Sequence, residues 1–328
     1  MNAAPRALKL GFAGTPQFAV PALDALARSR HPVAAVFTQP DRPAGRGQTL
    51  HLSAVKQRAL ELGLPVHQPP TFKSEDAAAT LRDLGLDALV VVAYGLILPP
   101  AVLAIPRTGC FNIHASILPR WRGAAPIQRA LLAGDTVTGV TIMRMEAALD
   151  TGPVLAVRPM PISERDSAGT LHDRLASAGA ELIVETLDAV ADGSASERAQ
   201  PAAGITYAEK IGKSEALIDW RAPAVEILRR VRAFNPWPIA ETRFEGRQLR
   251  IWEAELTPAG PSPADPGAAA RGAAAPGSVL AACNDGIDVA CGSGALRIRR
   301  LQLAGRKPLT AADFIKAQRL GGARFGIP

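Results

Sequence analysis

The sequence predicts an α/β protein in two parts, a parallel sheet covered by helices on both faces followed by a small β-barrel. Three observations carry this. Short, branched apolar runs alternate with helical patterns through the first half of the chain, the signature of a parallel sheet with crossover helices. Beyond residue 247 the pattern changes to alternating strands such as QLRIWEAEL, which suit a small barrel. At 328 residues the chain is also longer than the roughly 250 to 300 residues at which single cores stop growing.

The first part takes strands at 8–13 (LKLGFA), 33–38 (VAAVFT), 87–93 (DALVVVA) and 110–115 (CFNIHA), with helices at 18–29, 52–63 and 74–85 between them. Ligands of open sheets sit at the carboxyl ends of strands, so the loops after 14, 38, 93 and 114 are expected to gather around a site. Gly11, Gly14, Thr15 and Pro16 only superficially suggest a dinucleotide fingerprint. The GxGxxG spacing is absent, and Pro16 more simply opens the first helix. GVTIMRM at 139–145 and VLAVRPMPI at 154–162 read as further strands, and 171–193 reads as a long amphipathic helix stopped by Gly193.

SASERAQPAAG at 194–204 is small and polar, so the expected organisation is a first domain at 1–193, a linker at 194–212 and a second domain at 213–328. In that domain a basic helix is expected at 222–234, with strands at 248–256, 286–291 and 295–303. The Pro/Gly/Ala-rich insertion at 257–278 lacks aromatics and cannot bury a core. It is expected to be a mobile surface loop without a catalytic role.

No apolar run reaches the roughly 18 to 20 residues that span a bilayer, and MNAAPRALKL does not have the pattern of a signal peptide. A cytoplasmic protein is expected. Cys110, Cys283 and Cys291 are odd in number and form no CxxC, so neither a disulfide framework nor a metal site is expected. The net charge of +7 is uneven. Residues 1–200 hold 19 basic against 18 acidic side chains, and 201–328 hold 18 against 12. The excess in the second part suits a polyanion such as a nucleic acid, although an Arg-rich solvated surface has the same composition.

Candidate chemistry concentrates in GCFNIHASILPRWRG at 109–123 and in Leu149-Asp150-Thr151-Gly152. Residues two apart on a strand share a face, so Asn112 and His114 lie roughly 6.6 Å apart on the same side. An amide donor, an imidazole and a carboxylate suit acyl chemistry: Asn holds an oxyanion, His polarises, and Asp orients or takes a proton. Each residue has a plain alternative, with His114 as a satisfied core side chain and Asp150 as a turn residue. Cys110 is four residues from His114, about 13 Å along an extended strand, too far for a thiolate–imidazole pair.

These words, with FAGTP at 12–16, FTQPDRPAGRG at 37–47, VVVAYGLILP at 90–99, GVTIMRM, LDTG, TYAEKI at 206–211 and AFNPWP at 233–238, resemble the folate-dependent formyltransferases. The likeness is to the branch that formylates methionyl initiator tRNA for translation initiation. It runs from about residue 8 to 256 and resumes more weakly after 279. The resemblance implies a Rossmann-like formyltransferase domain and an OB-like, tRNA-binding β-barrel domain. It also implies 10-formyltetrahydrofolate as formyl donor, methionyl initiator tRNA as acceptor, and no metal or membrane partner. On this reading Asn112 and protonated His114 stabilise the tetrahedral oxyanion, and Asp150 supports His114 and receives the ammonium proton. Ser116, Ile117, Leu118 and Pro119 line the folate pocket, with Leu96, Ile97 and Leu98 as the apolar wall for the pterin. The loop from Asp41 to Gly47 enters the acceptor stem, with Arg42 beside Arg46, which senses its first position. Lys210, Lys213, Arg229, Arg230 and Arg232 are candidate phosphate contacts. Trp121 is expected to order the site loop, with the methionine pocket as its alternative, and Trp237 to anchor a domain interface, with stacking on a base as its alternative.

Two departures from the family pattern stand out. Ala115 replaces the usual Gly, which costs about a kcal/mol only if that backbone needs positive φ. HLSAVK at 51–56 keeps Ser53 and Lys56 but loses two prolines. Two other readings remain open at this stage: a formyltransferase for a small amine, such as a glycinamide ribonucleotide or an amino sugar, and a folate- or RNA-binding module without turnover.

Overall fold

The computed structural model describes residues 6–44, 49–257 and 274–326. The chain forms two compact units, one of residues 1–126, 136–162 and 172–209, the other of 127–135, 163–171 and 210–328.

The first unit is built on a seven-stranded sheet. Its strands are β1 (Leu10–Gly14), β2 (Val33–Phe37), β5 (Val66–His67), β6 (Ala88–Val92), β7 (Gly109–His114), β9 (Val137–Arg144) and β10 (Val154–Pro161), in the spatial order β10-β9-β7-β6-β1-β2-β5. Every residue of β1 and β6 is buried, as expected of strands covered on both faces. The five strands from β5 to β7 are parallel. β9 lies antiparallel to β7, and β10 antiparallel to β9, so the parallel sheet expected from sequence is mixed at one edge. The connection from β9 to β10 at 145–153 is too short for a crossover, which allows only a hairpin-like return.

From β1 the chain winds outward through β2 to β5, then returns to β1's other side as β6. The switch point therefore lies at the carboxyl ends of β1 and β6, where such sheets open a crevice. α1 (Val20–Arg28) follows β1 with Pro21 in its first turn. α2 (Ala54–Glu61) starts at Ser53, whose Oγ accepts from the Lys56 amide at 3.0 Å. This cap defines the helix start without the missing prolines. α3 (Glu75–Asp83) and α4 (Pro100–Leu103) precede β6 and β7 respectively, and α5 (Pro126–Ala133) lies between β7 and β9. α6 (Ala168–Ala191) ends where Gly193 adopts φ +72°, a common helix stop.

The second unit carries α7 (Ala224–Ala233), β12 (Glu241–Phe244), β13 (Arg247–Leu256), β14 (Val279–Cys283), β15 (Gly286–Ala290), β16 (Ala295–Leu303), β17 (Leu309–Thr310) and α8 (Ala311–Ala317). The strands are antiparallel in the order β12-β13-β16-β15-β14, with β17 against β16. The tail closes this OB-like sheet. Phe325 donates to the Gly277 carbonyl at 2.8 Å, Ala323 accepts from the Val279 amide at 2.9 Å, and Gly326 donates to Arg243 of β12 at 2.9 Å. Trp220, Phe244, Phe314 and Phe325 pack inside, with centroids 5.7 to 6.1 Å apart, and Trp220 Nε1 donates to Thr242 Oγ1 at 2.9 Å. Most of the 257–278 insertion lies outside the described residues.

Candidate active site

Three loops meet at the switch point. The Tyr94 carbonyl, after β6, accepts from Thr15 Oγ1 at 2.9 Å and from Gln39 Nε2 at 3.0 Å. These are the loops following β1, β2 and β6, so one acceptor ties together the edges that the sequence expected to gather.

β7 supplies Asn112 and His114. Ile113 between them points to the opposite side, against Gly179 of α6. Asn112 is half-buried, and its carboxamide has no hydrogen bond to any described residue. His114 is 5% exposed. Its Nε2 lies 2.9 Å from the Trp121 carbonyl, an acceptor, and its Nδ1 lies 3.7 Å from Asp150 Oδ2. The second distance is beyond a hydrogen bond, so the imidazole and the carboxylate are neighbours without a direct bond.

Asp150 sits in the β9–β10 connection with φ +52°, a region that Asp tolerates better than most residues. Its Oδ2 accepts from the Gly123 amide at 2.8 Å. Gly123 belongs to β8 (Arg122–Gly123), which pairs in parallel with β11 (Tyr207–Ala208). A Cβ on Gly123 would lie 2.7 Å from the Ala208 carbonyl, and its φ is +122°, so only glycine serves there. Gln200 Nε2 donates to the Asp150 and Gly152 carbonyls at 2.9 and 2.8 Å.

The loop after β7 is held from below. Thr141 Oγ1 donates to the Ser116 carbonyl at 2.7 Å and accepts from the Leu118 amide at 3.2 Å, while Ser116 Oγ donates to the Arg120 carbonyl at 2.6 Å. Ser116 and Leu118 are buried, and Ile117 and Pro119 are half-buried. The Ser116 hydroxyl thus shapes the loop. Ala115 has no positive φ, so the replacement of Gly is harmless. Of the three expected wall residues, Leu98 is in the core, Leu96 packs against that core, and Ile97 is 79% exposed. Cys110 is buried, which pushes its thiol up to about 12, and this removes it as a nucleophile.

The candidate acceptor-binding residues divide. Arg42 is exposed at the start of a ribbon made by β3 (Arg42–Ala44) and β4 (Thr49–His51); Arg46, Gly45 and Gly47 lie outside the described residues. The base of the ribbon is fixed by Asp41, Lys56 and Gln68. Lys56 pairs with Asp41, and Gln68 Nε2 donates to Asp41 Oδ1 at 2.9 Å and to the Gln39 carbonyl at 2.8 Å. Hydrogen bonding from Lys56 holds the Asp41 carboxyl below its usual range. In the second unit Lys210 and Lys213 are exposed. Arg232 donates to the Asp166 and Ser163 carbonyls, and Arg230 donates to Glu215's carbonyl and lies over Phe234. Both therefore brace their own unit, and Arg229 is half-buried. Trp237, expected as an anchor, is 48% exposed.

Sequence reading missed the Trp121 carbonyl, the Gly123 amide, Thr141 and Gln200, because backbone groups and linker-like residues carry no chemical motif.

An open α/β sheet whose strand β7 carries an amide and an imidazole, with a carboxylate 3.7 Å from that imidazole, in a chain that also holds an antiparallel second unit, has the residue types that a two-domain acyl-group transferase of the open α/β class calls for. The comparisons narrow this. The formyl transferase family model matches residues 8–187, and that of the formyl transferase C-terminal domain matches 210–319. The chain is 53% identical to a Methylococcus capsulatus protein named methionyl-tRNA formyltransferase, over 97% of this chain and 100% of that protein. It is 54% identical to one of the same name from Xanthomonas axonopodis pv. citri, over 95% and 98%. The chain belongs to the formyl transferase family. Among solved structures, HypX from Aquifex aeolicus in complex with tetrahydrofolic acid superposes with a TM-score of 0.63 at 17% identity. That match covers 94% of this chain and 47% of that one, so the chain spans about half of HypX. WlaRD, a sugar 3N-formyl transferase, gives 0.62 at 16% identity, over 92% and 100%. At these identities the likeness is one of fold.

Proposed function

We infer that this chain transfers the formyl group of 10-formyltetrahydrofolate to the α-amino group of methionyl initiator tRNA. The observation that carries the reading is 53% identity to a relative of that name along its whole length; the polar set at the end of β7 supplies the chemistry. Among the described residues no helix is long and apolar enough to cross a membrane. A role in translation initiation places the protein in the cytoplasm.

The amino nitrogen attacks the formyl carbon, the carbonyl electrons move onto oxygen, and collapse of the adduct breaks the bond to N10. N10 gains a proton and the attacking nitrogen loses one. Asn112 is assigned to the oxyanion, since its amide is free of described protein partners. His114, turned by the Trp121 carbonyl, presents its Nδ1 edge to the same space. Asp150, held by the Gly123 amide, accepts the ammonium proton directly or through water. Ser116 to Pro119 and Leu96 to Leu98 frame the donor through loop shape and backbone. Arg42, Arg46, Lys210, Lys213 and Arg229 remain the proposed acceptor contacts, positioning the phosphate backbone.

Labelled formyl transfer to methionyl initiator tRNA, elongator methionyl-tRNA and small amines, with His114→Ala alongside, tests this. Initiator preference that disappears in the variant is the expected result. Transfer confined to a small amine would move the protein to the other acceptor class, and folate binding without any transfer would remove the enzyme assignment.

A further inference from the structure

Gln200 falls in the stretch that composition marks as a linker, yet its side chain is fully occupied at the site. Its Nε2 spans the Asp150 and Gly152 carbonyls at 2.9 and 2.8 Å, and its Oε1 accepts from Arg122 Nε at 3.1 Å and from an Arg122 terminal nitrogen at 2.7 Å. Arg122 is 7% exposed, a buried cation whose neutral partner is this amide oxygen. One carboxamide thus joins the turn that bears the carboxylate to the strand whose next residue, Gly123, donates to that carboxylate.

The neighbouring residues repeat the pattern. Arg198 exchanges both backbone hydrogen bonds with Val154, at 2.8 and 2.9 Å. Thr206 Oγ1 accepts from the Trp121 amide at 2.9 Å, and the Trp121 carbonyl in turn orients His114. Tyr207 and Ala208 pair with Arg122 and Gly123. Each catalytic side chain except Asn112 is therefore braced by residues 198–208.

We propose that Gln200 is a positioning residue for formyl transfer: clamped by Arg122, it holds the left-handed turn at Asp150 so that the carboxylate stays beside His114. This rests on the catalytic role inferred for Asp150. An amide meets a requirement that no other side chain of this length meets, two donors for two carbonyls and an acceptor for a guanidinium. Glutamate would keep the pairing with Arg122 and set an oxygen against both carbonyls.

The test uses the full-length protein, with Gln200→Ala, Gln200→Glu, Asp150→Ala and the double variant Asp150→Ala/Gln200→Ala. It measures kcat and both KM values with 10-formyltetrahydrofolate and methionyl initiator tRNA, and the melting temperature of each variant. Gln200→Ala is expected to lower kcat tenfold or more with each KM within twofold. Gln200→Glu should match that loss while melting close to wild type. In the Asp150→Ala background the Gln200 change should add less than twofold, since residues acting as one unit are not additive. A full multiplicative loss in the double variant would reveal a general structural role and overturn the proposal. Should the Ala variant not fold, Gln200→Glu decides: wild-type kcat in that variant overturns the clamp. Wild-type transfer by Asp150→Ala overturns the catalytic reading and the clamp with it; an inactive Asp150→Ala beside a fully active Gln200→Glu overturns the clamp alone.

Discussion

Replacing Gly152 by alanine adds one methyl group two residues from the proposed catalytic carboxylate. A Cβ at Gly152 would sit 1.9 Å from the Arg144 carbonyl oxygen, whereas ordinary contact begins near 3.4 Å. The acceptor is main chain of β9 and cannot rotate away, so the turn must retreat by about 1.5 Å. The Gly152 carbonyl would move off Gln200 and carry Asp150 with it. Misplacing a reacting group by about 1 Å can cost about a hundredfold in rate, while overpacking typically costs about 1 to 3 kcal/mol in stability. Gly152→Ala is therefore expected to lower kcat by about two orders of magnitude in a labelled-formyl assay at saturating donor and acceptor. The protein should remain folded at 25 °C by circular dichroism. Turnover within threefold of wild type would refute the reasoning, because it would mean either that the turn absorbs the methyl group without moving Asp150 or that Asp150's place does not matter.

Asn112→Ala should reduce turnover by about a hundredfold or more, from an oxyanion donor's typical 2.7 to 4 kcal/mol; a loss below tenfold in single-turnover kinetics would take Asn112 out of that role. The bidentate contact of Arg129 with Glu215 at 2.7 and 3.2 Å holds the Glu215 carboxyl below its ordinary 4.5. Its contribution to stability is thus present above pH 4.5 and is lost as pH falls through the lower folded value. The melting-temperature gap between wild type and Glu215→Gln should be constant near neutrality and close below about pH 4.5; a gap unchanged at pH 3 would contradict the pairing. Cys110 and Cys291 are buried, their thiols pushed up to about 12 and about 11, whereas Cys283 is exposed. A thiol reagent at pH 8 should label one site rapidly in the native protein and three after denaturation, with Cys283→Ser abolishing the fast phase.

The polar set was legible because a period of two on one strand fixes which side chains share a face, and Asn112, Ile113 and His114 obey it. The strand cores at 10–14, 33–37, 88–92 and 109–114 were legible for the related reason that doubly covered strands are continuous apolar runs. Direction was not: GVTIMRM reads the same whether β9 runs with β7 or against it, and the short return after it fixes only how β10 pairs with β9. Burial within VVVAYGLILP was equally hidden, since Leu98 enters the core and Ile97 faces outward with like side chains. Charge showed that the second unit is basic. It could not show that Arg230 and Arg232 are occupied by carbonyls of their own unit. Gln200 was hidden by its neighbours, because small polar residues around Pro201 look like a tether. The tail that closes the barrel at 323–326 bonds through its backbone, which no side-chain pattern reports.

Neither compact unit is a continuous stretch of chain. The polypeptide passes between them at 127, 136, 163, 172 and 210, and α5 and the start of α6 are grouped with the second unit. Ile127, Ala130 and Leu131 of α5 are all 7% exposed or less. A stop codon placed before Lys210 would therefore not release a self-sufficient N-terminal fragment, because it would leave two stubs whose packing partners are gone. Recombining this protein with a relative at a single junction would split at least one of the two units rather than exchange it whole. The two parts must be inherited, and refolded, as one piece of chain.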